Sequence, residues 1–390
     1  MSTLITEKDR RNIAYIFTDR YYELVNLSKK YVLNLIIDIF KKTNIYLLVK
    51  SEFISVEKII HDLNFIPKAK IPLTWMFFYL KELGYLEIKQ VNNISCFKIS
   101  KDLPDINQNN LNDMMLKIDR NVLPSNLLLE KAANGYPEFF QGKKTAIDIL
   151  FTSDKMKLWT EYFNNSNSGY VVYNSFATLG LLKWLPDKER IRILEIGGGT
   201  GSASIFFLKE MFERSLFKRI EEYVFTDISP ILLRTGNKAI MEEIIDIQMI
   251  QLKTLDFNKS FSSQGIKPDN FDIIFGVNSL HAAKDLISSM EYIFYALKPG
   301  GSIILSECVR PGENNLLFQE LIFNLLDSYC DVELSEFRPM PGFLDVKSWQ
   351  GIFEKTKFKN IELLTNVDSD EKSNSSYGEK VLAMIIKGEK

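Results

Sequence analysis

Cysteine and histidine are the scarcest reactive side chains in this chain of 390 residues, with three and two copies. Cys96, Cys308 and Cys330 follow no paired ligand spacing, and only His61 and His281 are available to complete a metal site. No zinc pattern and no disulfide framework can be written from these positions, so no metal is expected. An excess of one charge is also missing: 48 Lys and Arg stand against 50 Asp and Glu, a net charge of -2. Without a global field to collect phosphates, no nucleic-acid partner is expected. Long apolar runs are absent as well. Val32 to Phe40 is bounded by lysines and too short to cross a bilayer, and the opening MSTLITEKDRRN lacks a secretory apolar core. The expectation is a cytoplasmic, reducing location with no membrane association.

Aromatic residues are plentiful, with 28 Phe and 16 Tyr, in a chain 46% hydrophobic and 25% charged. Those proportions are ordinary for a globular protein, and the aromatics read as a large core more than as cavity linings. The length suits two or three packed units.

Residues 1–100 read as a mainly helical, winged-helix-like domain. Tyr21 to Phe40 carries apolar residues at helical spacing, a shorter helix runs from Ser55 to Leu63, and a third runs from about Pro72 to Leu83. Tyr85–Ile88 and Cys96–Ile99 then form a hairpin around Asn92-Asn93. The third helix, IPLTWMFFYLKEL, has one lysine and a mass of apolar side chains. It is built for a core or a partner subunit rather than for DNA. Residues 101–185 are assigned as a linker followed by a helical region from about Pro124. The linker, residues 101–120, holds Pro104, Asp105 and the polar run Asn107 to Asn110. The helical region is either a lid, with Tyr170 and Tyr173 as candidate substrate-binding residues, or a plain packing layer.

Residues 186–390 change to short apolar runs alternating with helices, the pattern of a Rossmann-like parallel sheet covered on both faces. Expected strands are Ile191–Ile196, Glu222–Thr226, Met249–Thr254, Phe271–Gly276 and Gly301–Ser306. Ile361–Leu364 and Lys380–Ile386 are expected to close the sheet as an antiparallel pair, separated by the charged, serine-rich stretch Asp368 to Tyr377.

The segment IRILEIGGGTGSAS delivers Glu195 at a strand end and then Gly197, Gly199 and Gly201 beside a ligand. Such a loop alone is weak, because dinucleotide sites use the same device. A third glycine at the dinucleotide spacing is missing, however. Asp227, in FTDIS, ends the second strand, where a carboxylate accepts two ribose hydroxyls. Glu195 is placed near the amino-acid part of the cofactor. Asp256 either accepts an adenine amine or simply caps its own turn. Asn278 joins the cofactor-binding set. His281 follows the fourth strand and Glu307 ends the fifth, and adjacent parallel strands open their carboxyl ends onto one crevice. Together they make either a general base with its orienting carboxylate or a capping histidine and a solvated glutamate.

These residues carry a resemblance to the C-methyltransferase domains of polyketide synthases, within the class I S-adenosylmethionine-dependent methyltransferases. It extends from about Phe65 to about Phe358, through PLTWMFFYLKELGYLEI, YPEFFQGKKTAIDILF, ILEIGGGTG, YVFTDIS, GVNSLHAAKDL, ALKPGGSIILSE and MPGFLDVKSWQGIFEKTKF in family order. The resemblance implies a class I Rossmann-like core with a helical lid, S-adenosyl-L-methionine as cofactor, and His281 with Glu307 as catalytic residues. It further implies methylation of the alpha carbon of a beta-ketoacyl thioester held by an acyl carrier protein or polyketide synthase module. Gly198 and Ser202-Ala203 depart from the family's usual choices at those positions. Small-molecule O- or N-methyltransferases share the order of domains and the histidine base, and a regulator that has lost turnover is a third reading.

Overall fold

Helical spacing of apolar residues organises the first hundred positions. The computed structural model describes residues 5–104, 108–244, 248–312, 315–368 and 380–390. It has helices at Asp19–Lys42, Val56–Asp62 and Lys70–Glu82, close to the expected spans. Ser55 caps the second of these by accepting from the Lys58 N–H. Three short strands, β1 (Ile54–Ser55), β2 (Leu86–Val91) and β3 (Ile94–Ile99), lie in the order β1-β3-β2. The β2–β3 hairpin turns through Asn92 and Asn93 at φ of 50° and 63°. A two-residue hairpin turn needs that left-handed backbone, which Asn tolerates.

The expected linker at 101–120 is a helix over most of its length. Gln108–Ile118 is helical because Leu111 and Met115, one turn apart, are both buried. Asp105 and Asn107, named in that linker, lie outside the described residues.

The chain divides into two compact units whose boundaries differ from the three segments expected. One unit comprises residues 23–162 and 312–331, the other 1–22, 163–311 and 332–390. The presumed lid is therefore divided. Its helices Leu123–Phe140, Ala146–Leu150 and Ser153–Tyr162 fall in the first unit and Val171–Lys183 in the second. Segment 312–331 joins the first unit through a fully buried carboxylate. Glu320 accepts from the Trp75 indole at 3.2 Å, the Leu317 N–H at 2.9 Å and the Tyr329 hydroxyl at 3.0 Å.

In the second unit the apolar runs form a seven-stranded sheet. Its strands are β4 (Ile191–Ile196), β5 (Ile220–Asp227), β6 (Ile250–Thr254), β7 (Phe271–Val277), β8 (Leu297–Cys308), β9 (Lys359–Thr365) and β10 (Ala383–Glu389). The order is β6-β5-β4-β7-β8-β10-β9, with β4 to β8 parallel and β10 antiparallel to both its neighbours. The expected terminal pair forms, with β10 inserted between β8 and β9. Strand β8 starts at Leu297, earlier than expected, and its pairing with β7 shifts register before Ser302, next to Gly300 at φ 75°. Of the stretch between β9 and β10, residues 369–379 lie outside the described residues. The core beneath the sheet includes Leu194, Ile274, Met290, Leu305, Trp349 and Ile386. Helix Val171–Lys183 approaches closely enough that a Cβ on Gly180 would come within 2.7 Å of Ile385.

Candidate functional site

Strand β4 pairs with β5 on one side and β7 on the other, so successive strands depart from it in opposite directions. A crevice opens at the carboxyl end of such a switch point, and the glycine loop begins there. Gly197, Gly199 and Gly201 have φ of 63°, 58° and 79°, and Gly201 leads directly into helix Ser202–Glu213. A Cβ on Gly199 would meet nothing nearer than 4.0 Å, so this peptide faces open space. The departure at Gly198 has a physical cause: a Cβ there would overlap the Phe225 ring.

Asp227, the last residue of β5, is buried at the loop. Its two oxygens accept from the Gly199 N–H at 2.9 Å and the Ser229 N–H at 2.7 Å. Burial pushes its carboxyl above the ordinary range, and these two donors oppose the shift. Each carboxylate oxygen keeps a further lone pair for a ligand hydroxyl.

Glu195, expected near the amino-acid part of the cofactor, is turned inward. Its carboxylate is buried beside helix Ser202–Glu213, where it accepts from Ser204 Oγ and from the Tyr223 hydroxyl at 2.7 Å. Burial raises its pKa to about 7, against the lowering effect of those hydroxyls. It braces strand against helix rather than opening to the crevice. Asp256 is used locally: it accepts from the Asn258 N–H at 3.0 Å and pairs with Lys259 at 3.1 Å. This is the turn-capping use set beside the adenine role above.

His281 and Glu307 meet. The histidine lies on a short 3₁₀ turn, Leu280–Ala282, and its Nδ1 is 2.7 Å from Glu307 Oε2. The other oxygen of Glu307 accepts the backbone N–H of Ser279 at 3.2 Å and of Leu280 at 3.0 Å. Glu307 is fully buried and His281 is 8% exposed. Because a carboxylate accepts, Nδ1 carries the imidazole proton and Nε2 is the accepting nitrogen of the ring.

Asn278 organises the strand ends at φ 46°. Its N–H donates to Ser306 O, its Oδ1 accepts from the Cys308 N–H at 2.6 Å, and its side chain bonds Tyr170. Tyr170 is half-buried next to Asn278, and burial pushes its phenol upward. Tyr173 is core instead. Only 3% exposed, it directs its hydroxyl to Tyr21 and Cys308 Sγ, at 3.4 and 3.2 Å.

Three contributors were not read from the sequence. Ser279 donates to Ile196 O at 3.1 Å, and side chains on Gly197 or Gly276 would displace it. Phe343 packs its ring 4.4 Å from the imidazole, and buried Arg338 grips the backbone of the histidine turn. Arg338 and Phe343 sit in FRPMPGF, an irregular segment whose contacts leave no periodic signal.

Residues 194–303 match the family model for a methyltransferase domain. Over 268 residues, two thirds of this chain, the sequence is 26% identical to highly reducing polyketide synthase 2 of Gibberella zeae. The chain spans about a tenth of that protein's length. Among solved structures, the CurJ carbon methyltransferase overlays with a TM-score of 0.79 at 20% identity, covering 98% of this chain and 96% of that one. The trans-methyltransferase CalH, solved with SAH, overlays with a TM-score of 0.65 at 16% identity, covering 95% and 91%. The chain thus has a class I S-adenosylmethionine-dependent methyltransferase core. Within that class it resembles the C-methyltransferase domains of polyketide synthases.

Proposed function

We propose that this protein transfers a methyl group from S-adenosyl-L-methionine to the alpha carbon of a beta-ketoacyl thioester carried by an acyl carrier protein. The observation that carries this reading is the locked His281–Glu307 pair at the crevice beside the glycine loop. The open Gly199 peptide and the Asp227 carboxylate fit an adenosyl cofactor, with Gly197–Gly201 as its cradle and Asp227 as acceptor for its ribose. When bound, the cofactor supplies an electrophilic methyl on sulfur.

The chain's own residues perform the rest. Glu307 fixes the tautomer, so His281 accepts a proton at Nε2 and becomes an imidazolium balanced by the buried carboxylate. A carbon flanked by two carbonyls is acidic enough for a base of this kind. Tyr170, tethered by Asn278, serves as the substrate contact. Phe343 excludes water from one face of the imidazole. Incubation with methyl-labelled cofactor and a beta-ketoacyl pantetheine thioester tests the reading. Label on the alpha carbon supports it, and label on oxygen or nitrogen replaces it with the small-molecule alternative.

A further inference from the structure

Glu307 holds the N–H side of the turn bearing His281, and its carbonyls are held as well. Arg338, 1% exposed, directs Nη2 to the carbonyl of His281 at 3.1 Å. Its Nη1 reaches the carbonyls of Ala283 at 2.6 Å and Lys284 at 3.3 Å. One planar guanidinium therefore spans the end of the histidine turn. A flexible ammonium has no such fixed fork.

The arginine is itself fixed. Ser335 and Arg338 exchange backbone hydrogen bonds at 2.9 and 3.1 Å, and the Glu333 N–H donates to Lys284 O at 2.9 Å. Phe337, the preceding residue, is seated against Gly351 of helix Val346–Lys355, where a Cβ would come within 2.5 Å of its ring. A rigid turn thus presents Arg338 to the backbone behind the imidazole, while Phe343 of the same segment contacts the ring.

We propose that Arg338 is a positioning residue for His281, holding Nε2 at the angle from which it takes the substrate proton. Glu307 fixes the ring about Nδ1 and holds the N–H groups of Ser279 and Leu280, but it makes no bond to the carbonyls from His281 to Lys284. The guanidinium holds that carbonyl side. Displacement of a reacting group by about 1 Å is enough to cost roughly 10²-fold in rate.

The claim rests on the carbon-methylation reading, and the experiment separates the two. Steady-state transfer to a beta-ketoacyl pantetheine thioester, calorimetric cofactor binding and thermal melting are measured on wild type, Arg338→Gln, Arg338→Lys and Arg338→Ala. The Nδ1 proton resonance of His281 is followed by NMR, assigned by its absence in His281→Gln. With only two histidines, and the other exposed, the spectrum is simple. Arg338→Gln is expected to lower kcat by about 10- to 100-fold with KM and cofactor affinity close to wild type, and to broaden the Nδ1 resonance. Millimolar guanidinium is expected to restore part of the Arg338→Ala rate. If Arg338→Gln melts too low to assay, Arg338→Lys is read by the same criteria. Unchanged kcat with a wild-type resonance overturns the proposal, as does a loss of kcat matched by an equal loss of cofactor affinity. Should wild type transfer no methyl to the thioester, the carbon-methylation reading falls, and the resonance alone decides the role of Arg338.

Discussion

His281 Nδ1 lies 2.7 Å from Glu307 Oε2, and the other oxygen of the same carboxylate holds two backbone N–H groups of the histidine turn. This arrangement dictates how an amide would behave. In Glu307→Gln the amide oxygen must face the two backbone donors, which turns its NH2 toward the imidazole. Nδ1 then has to accept, and the ring proton moves to Nε2, the atom that has to take the substrate proton. Turnover is expected to fall by at least about 10²-fold with cofactor affinity retained. Methyl-transfer kinetics and calorimetry check this, and a fully active Glu307→Gln enzyme refutes the tautomer argument.

Much of this arrangement was legible in the sequence, and the reason is specific. Strands β4, β5, β7 and β8 announce themselves as short apolar runs, and glycines just after a carboxylate, Glu195, mark where the first one ends. The strand ends brought His281 and Glu307 to one crevice, and the family resemblance assigned them as base and partner. What escaped depends on three-dimensional detail. Glu195 ends a strand like Asp227, but its neighbours Ser204 and Tyr223 turn it inward. Tyr170 and Tyr173 are three residues apart, yet one bonds Asn278 at the strand ends and the other lies in the core. Arg338 binds carbonyls, which exist at every position and so leave no trace in side-chain identity. The helix Gln108–Ile118 was obscured by the polar asparagines around Leu111 and Met115.

Asp227 is tied to the glycine loop through Gly199 as well as being placed for a ribose. Asp227→Ala removes both functions. Cofactor affinity is expected to fall by roughly 1–3 kcal/mol, the range for losing hydrogen bonds to a buried charged group. Calorimetry with S-adenosyl-L-methionine measures this directly. Undiminished affinity would remove Asp227 from the site.

Glu195 gives the protein a distinctive pH dependence. Its folded-state pKa, about 7, lies above the ordinary value of 4.5. The folded form therefore holds the proton more tightly than the unfolded form does. Its contribution to stability is fully present below about 4.5 and is lost as pH rises through about 7. Glu195→Gln cannot ionise and should escape this loss. The difference in melting temperature, variant minus wild type, is expected to grow more positive between pH 5 and pH 8. A difference independent of pH would contradict the assignment of a protonated Glu195.

The most direct measurement uses cofactor labelled with carbon-13 in the methyl group, a beta-ketoacyl pantetheine thioester, and wild-type and His281→Ala protein side by side. Carbon NMR of the product distinguishes a methyl on carbon from one on oxygen by chemical shift. The account predicts label on the carbon between the two carbonyls for wild type, and a rate roughly 10²–10⁴-fold lower for His281→Ala with cofactor binding intact. Label on oxygen, or a His281→Ala rate equal to wild type, would contradict it.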